Sequence, residues 1–249
     1  MMHSMNLSNK TILITGGTGF LGNYFTTALK EAGATVIATD VTDTADIKMD
    51  VTSAESITTA FTEVIDEHGK LDVVINNAAL DPKFDANADQ NAKLFENYPE
   101  ELIKKSLEVN LLGYTLVAQE AVRRMLAQGS GNIINISSIY GVVGPDQSIY
   151  PNGTQKPVDY FITKGGVVML TKFLATTYGN KNIRCNTLTL GGVFKDHGKD
   201  FTDKYGARTP LGRMANPEEV GGPLVFLASD ASSYMTGANL IVDGGLTAW

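Results

Sequence analysis

Lys10-Thr11-Ile12-Leu13-Ile14-Thr15-Gly16-Gly17-Thr18-Gly19-Phe20-Leu21-Gly22 reads as a short apolar strand, a glycine turn and the opening of a helix. The helix is announced by Leu21, Tyr24, Phe25, Ala28, Leu29 and Ala32, which recur at helical spacing before Gly33 supplies the stop. Because the turn feeds straight into that helix, its backbone N–H groups and the positive end of the helix dipole face whatever sits in it. A diphosphate is the natural guest. Gly16, Gly19 and Gly22 permit a tight turn, close backbone approach and packing of helix on strand, and no Gly-Lys-Ser/Thr ending follows, which argues against a nucleotide-hydrolysing P-loop. Glycines mark turns everywhere, so the signal lies in the order strand, turn, helix.

Working outward, short β-branched runs alternate with longer helical patterns, the rhythm of βαβ units around a parallel sheet. Strands are expected at 10–15, 35–39, 47–51, 71–76, 132–137, 183–190 and 239–242. Helices are expected at 54–68, 99–128, 158–178 and 217–227. The stretch 80–98 is polar and acidic, 145–158 is irregular and proline-bearing, and 191–209 reads as loop. The 249 residues contain no repeat or low-complexity tract, and a single domain over 1–249 is expected.

Twenty basic residues against 27 acidic give a net charge of −7, which lacks the footprint needed for a phosphate backbone; nucleic acid is excluded as a partner. The lone Cys185 cannot form an internal disulfide, and His3, His68 and His197 are too scattered to hold a structural metal. A cytoplasmic protein follows as the expectation. No apolar run reaches the roughly 18 residues of a spanning helix, and the first ten residues are too polar for an export signal, so no membrane partner is expected.

Asp40 ends the second strand about twenty residues past Gly19, the spacing at which an acid meets the ribose hydroxyls of an adenosine. Its charge repels a 2′-phosphate, and no Arg or Lys stands at 17, 18, 41 or 42 to pair with one, so NAD is the expected cofactor. Tyr160 and Lys164 sit at i and i+4 of a helix, where an ammonium beside a phenol favours the phenolate and suits it to proton transfer. Taken alone such a pair is a common coincidence on an amphipathic helix.

Asn76-Asn77-Ala78-Ala79 at the end of the fourth strand, Asn110 inside a helix, Ser137-Ser138-Ile139-Tyr140-Gly141 after the fifth strand, and the terminal Val242-Asp243-Gly244-Gly245 change that reading. Together they resemble the compact, single-domain branch of the short-chain dehydrogenase/reductase family over nearly the whole chain. The resemblance implies an α/β Rossmann-type doubly wound fold, a seven-stranded parallel sheet in a three-layer α/β/α arrangement. It implies an NAD-dependent oxidoreductase interconverting a secondary alcohol and a ketone. Residue by residue, it makes Tyr160 the acid/base, Lys164 the ribose-binding partner that lowers the tyrosine pKa, Ser138 the hydroxyl on the substrate oxygen, and Asn110 the anchor of a water leading to Lys164. The cofactor would be held by Gly16, Thr18, Gly19, Phe20, Leu21, Asp40, Asp50, Val51, Asn77, Ala78, Ala79, Tyr160, Lys164, Gly191 and Val193. For Asn77 and Asn110 a plainly structural reading stands beside the functional one.

Four departures from the family pattern stand out. The glycine turn has the spacing of the extended branch, with Phe20 at a usual glycine; Ser138 and Tyr160 are farther apart than is typical; Leu190-Gly191 replaces Pro-Gly and Lys195 a threonine; and 80–98 is long. A nucleotide-sugar epimerase or dehydratase, and a non-catalytic cofactor-sensing module, therefore remain as alternatives. Tyr140, Asp146, Gln147, Tyr150 and Asn152, with Lys195 and His197 opposite, offer many polar groups over the site. A small polar substrate is expected: a sugar, amino sugar or sugar acid derivative. The segments around 138–150, 209–215 and 247–249 are also similar to dehydrogenases of bacterial flagellin modification and sialic-acid-like sugar synthesis. Apolar residues on more than one helix face, among them Val167, Val168, Met169, Leu170, Phe173 and Leu174, point to a homo-oligomer, and the resemblance implies a homotetramer with 246–249 near an interface.

Overall fold

A computed structural model describes residues 5–81, 91–150 and 154–249. Seven strands, β1 (Thr11–Thr15), β2 (Thr35–Asp40), β3 (Ile47–Lys48), β4 (Val73–Asn76), β5 (Gly131–Ser138), β6 (Ile183–Leu190) and β7 (Asn239–Val242), form one sheet in the order β3-β2-β1-β4-β5-β6-β7. Every pairing is parallel. The order reverses between β1 and β4, so the crevice at their carboxyl ends is where a ligand of such a sheet sits.

The described residues form seven α-helices, most of them against the sheet: α1 (Phe20–Glu31), α2 (Ala54–His68), α3 (Glu100–Leu107), α4 (Tyr114–Gln128), α5 (Val158–Tyr178), α6 (Lys199–Arg208) and α7 (Gly221–Ala228). A sheet sandwiched this way buries both faces, which is why all five residues of β1 are buried rather than alternate ones. Ile12 and Ile14 pack with Phe25, Leu29 and Leu224 under α1 and α7. Leu13, one residue out of phase, packs with Phe61, Val117 and Leu174 under α2, α4 and α5. The ends of α2 show the local code at work: Ser53 accepts a hydrogen bond from Ser56 N at 3.2 Å, and Gly69 closes the helix at φ +73°.

Three expectations need correction. The third strand keeps only Ile47–Lys48, because after the bond from Met49 N to Asp40 O at 2.8 Å the chain turns at Asp50. The helical region 99–128 is two helices joined by a π-turn at Glu108–Gly113, which contains Asn110. The stretch 191–209 is not all loop: α6 forms there on two i,i+4 ion pairs, Lys199–Asp203 and Asp200–Lys204, and on Tyr205, which it buries. Those pairs were a readable signal; the low apolar content hid the helix.

Candidate active site

The glycine turn is fixed by contacts that leave no room for side chains. Gly16 has φ +63°, and a Cβ there would stand 2.7 Å from Ala78 Cα; a Cβ on Gly22 would stand 2.1 Å from Gly16 O. Asn77 ties β4 to β1: its Nδ2 donates to Thr15 O and Gly16 O, each at 3.0 Å, while Asn77 N and Ala78 N donate to Thr15 Oγ1 at 3.0 Å. No side chain caps α1, because Gly19 occupies the N-cap, so the first N–H groups of the helix are left to an anion in the turn. Asp40 reaches that turn, accepting from Thr18 Oγ1 at 2.6 Å and Thr18 N at 3.3 Å. Lys195 crosses from the loop after β6, with its ammonium 4.5 Å from the Phe20 ring centroid.

Farther along the crevice, Asp50 is exposed, with its carboxylate spent on Thr52 N and Oγ1, and Val51 is buried behind it. Gly191 sits where a Cβ would strike Asp243 Cα at 2.8 Å. Val193 forms a parallel bridge to Ala215 through the peptide groups on either side of it, Phe194 N to Ala215 O and Ala215 N to Gly192 O. Val193's own N–H and C=O therefore point the other way. An uncapped helix, an acid at the tip of β2 and an outward-facing backbone pair make a crevice that fits a dinucleotide.

Tyr160 and Lys164 project from α5 toward the end of β5. Lys164 is buried, its Nζ donating to Ile136 O at 3.1 Å and lying 5.5 Å from the Tyr114 ring centroid. Burial pulls its pKa down to about 8, against the pull of Asp81 in the other direction. The alternation of β5 separates the two serines: Ser137 Oγ turns back to donate to Lys164 O at 3.0 Å, whereas Ser138 Oγ accepts from Tyr140 N at 3.2 Å and lies close enough to Tyr160 to act on its titration. The net displacement of the tyrosine is nevertheless upward. Burial holds the Tyr160 phenol above its ordinary value, Asp81 and Tyr140 add to that, and Ser138 opposes them. Asn110 is buried, and its amide pins the chain leaving β4: Leu80 N donates to Oδ1 at 2.7 Å, and Nδ2 donates to Leu80 O at 2.9 Å and Ser106 Oγ at 3.2 Å. A link from Asn110 to Lys164 would have to start at its backbone.

The loops over the centre are more aromatic than their polar residues suggest. Tyr140 and Tyr150 spend their hydroxyls on each other at 2.7 Å, and Tyr150 is buried with Ile149, Tyr205 and Met214. Phe201 joins them, 5.7 Å from Tyr150 and 5.3 Å from the His197 ring. Asp146 accepts from Ser148 N and pairs with Arg208, while Gln147 clips the backbone of Lys156, accepting from its N at 2.8 Å and donating to its O at 3.2 Å. Both side chains thus build the loop; Asn152 lies outside the described residues.

Two residues absent from the sequence reading stand at the centre. Lys156 pairs with Asp81 and lies 4.3 Å from the Tyr160 ring centroid. Its signal was available, since it precedes Tyr160 by the same interval at which Lys164 follows. A cleft of about 440 Å³ borders the centre without containing Tyr160; Tyr140 and Lys156 belong to both. Among the described residues no cluster of metal-ligating side chains occurs, and no helix is long and apolar enough to cross a membrane.

The family profile described as Enoyl-(Acyl carrier protein) reductase matches residues 15–247. The chain is 34% identical to a cis-4-hydroxycyclohexanecarboxylate dehydrogenase of Sinomonas cyclohexanicum, over 97% of this chain and 98% of that one. It is 31% identical to post-translational flagellin modification protein A of Campylobacter coli, over 96% and 98%. A crystal structure of a short chain dehydrogenase from Leptospira borgpetersenii serovar Hardjo-bovis with bound NAD+ superposes with a TM-score of 0.87 at 33% identity, covering 97% of this chain and 94% of that one.

Proposed function

The chain belongs to the short-chain dehydrogenase/reductase family and is an oxidoreductase, and from that premise we propose that it interconverts a secondary alcohol and a ketone, with NAD preferred and Tyr160 as acid/base. The observation that carries the reading is the meeting of Ser138, Tyr160 and Lys164 at the end of β5, beside a glycine turn built for a diphosphate. A bound nicotinamide dinucleotide supplies the hydride acceptor or donor. The turn at Gly16 to Leu21 would hold its pyrophosphate with Lys195 alongside, Asp40 would take the adenosine ribose hydroxyls, Asp50 and Val51 would flank the adenine, Asn77 to Ala79 and Gly191 would line the crevice, and the Val193 backbone would meet the carboxamide. Lys164 would bind the second ribose. In oxidation Tyr160 Oη takes the carbinol proton, and in reduction it returns one, while Ser138 Oγ donates to the same substrate oxygen.

We assign as substrate a small polar molecule of the sugar, amino sugar or sugar acid class. The aromatic lining from Tyr140, Tyr150 and Phe201 favours a second reading, an alicyclic hydroxy acid, and the name of the Sinomonas relative supports it. A panel of sugars, sugar acids, hydroxycycloalkane carboxylates, steroids and acyl thioesters, followed by nicotinamide absorbance with NAD and NADP, tests all of this. Turnover confined to steroids or thioesters overturns the substrate class, and absence of any cofactor reduction or oxidation favours a binding module. We further take residues 1–249 as one domain of a cytoplasmic homotetramer. Exposed Ile162, Met169 and Phe173 along α5 support the assembly, and a monomer in sedimentation at micromolar concentration refutes it.

A further inference from the structure

We propose that Lys156 anchors a carboxylate of the substrate and that Asp81 holds its place until the substrate displaces it. The class recognised is then a secondary alcohol bearing a carboxylate a few bonds from the carbinol, an inference that rests on the alcohol/ketone reading above. Several observations carry it. Lys156 is placed firmly: its backbone is clipped by Gln147 through bonds of 2.8 and 3.2 Å, and Pro157 starts α5 immediately after it. Its ammonium is nearer the Tyr160 ring than that of Lys164, 4.3 Å against 5.7 Å from the centroid. A molecule with its oxygen at Tyr160 therefore has Lys156 within reach.

The pair with Asp81 is lopsided. The Lys156 side chain is 9% exposed and that of Asp81 63%. A buried ammonium needs an anion beside it, but the exposed aspartate gives up little on turning into water. A substrate carboxylate replaces it like for like, leaving the charge at Lys156 balanced; a neutral polyol offers no such exchange. The negative charge of Asp81 is felt at Tyr140, Tyr150, Tyr160, Lys164 and His197. Finally, Lys156 is the only charged residue among the described residues lining the adjoining cleft, whose walls include Tyr140, Val158 and Phe161. Apolar walls with one cation suit a carboxylate on a hydrocarbon frame.

The test is calorimetry on the chain saturated with NADH, using cyclohexanecarboxylate and cyclohexanecarboxamide, neither of which can be oxidised. The acid is expected to bind at least tenfold tighter than the amide. Lys156→Met should erase that preference and Lys156→Arg keep most of it, so the charge is tested even if the methionine variant folds poorly. Asp81→Asn, which neutralises the aspartate paired with Lys156, should tighten the acid severalfold. Equal binding of acid and amide, binding of neither, or weaker acid binding in Asp81→Asn overturns the proposal. Acid preference without turnover of any alcohol would instead sink the reaction assigned above and leave the anchor standing.

Discussion

The turn after β1 and the loops after β5 and β6 lie side by side at the carboxyl edge of one sheet, and they are held by different forces. The first is fixed by backbone geometry and short polar bonds: Gly16 and Gly22 in close approach, Asn77 across to Thr15 and Gly16, Thr18 on Asp40. The second is fixed by aromatic packing around Tyr140, Tyr150, Phe201 and Tyr205, with Gln147 and Asp146 clipping distant segments together. A surface that must match an invariant diphosphate can be written in a few adjacent residues. One that must match a particular substrate is assembled from several loops, each able to vary.

The largest effect should separate the two regions cleanly. Tyr160→Phe is expected to lower kcat by roughly 10²–10⁴-fold, the usual worth of general acid–base catalysis. NAD affinity, measured by calorimetry, should stay largely intact, because the phenol oxygen acts chiefly on the substrate. Retained turnover would break the comparison. Next, Gly22→Ala puts a Cβ where Gly16 O already stands, and the overpacking should cost on the order of 1–3 kcal/mol in denaturant unfolding. Dinucleotide binding should fall with it, whereas unaltered affinity would mean the turn can relax.

A third effect comes from Lys164. Its pKa falls from 10.5 in the unfolded chain to about 8 when folded, so between those values the unfolded state binds more protons and stability rises with pH. That contribution is fully present above 10.5 and lost as the pH drops through 8. Lys164→Met should flatten this part of the stability profile; an identical profile in both proteins contradicts the burial of a titrating ammonium. The smallest effect concerns cofactor choice: Asp40→Ala should narrow the preference for NAD over NADP by about tenfold, or 1.4 kcal/mol. A wild-type chain that binds NADP more tightly rules the assignment out.

The sheet was legible because its code is local. β6, β7, α2 and α5 fall on the residues that periodicity and caps marked, and Ser137 and Ser138 turn to opposite sides as neighbours on a strand must. α6 was missed because its ion pairs and a single buried tyrosine carry little apolar signal. β3 came out short because it is an edge strand whose extent depends on where the chain leaves Asp40.

What the sequence by itself determined is the alternating α/β order, the glycine turn with its acid, and the tyrosine and lysine of α5, since each is set by neighbours within a turn or a strand. What only the tertiary structure decided is the company of those groups and the direction in which burial shifts them. Tyr160 is raised rather than lowered because desolvation depends on everything packed around it. Lys156 and Asp81, 75 residues apart, meet beside it only because β4 and α5 end at the same edge of the sheet.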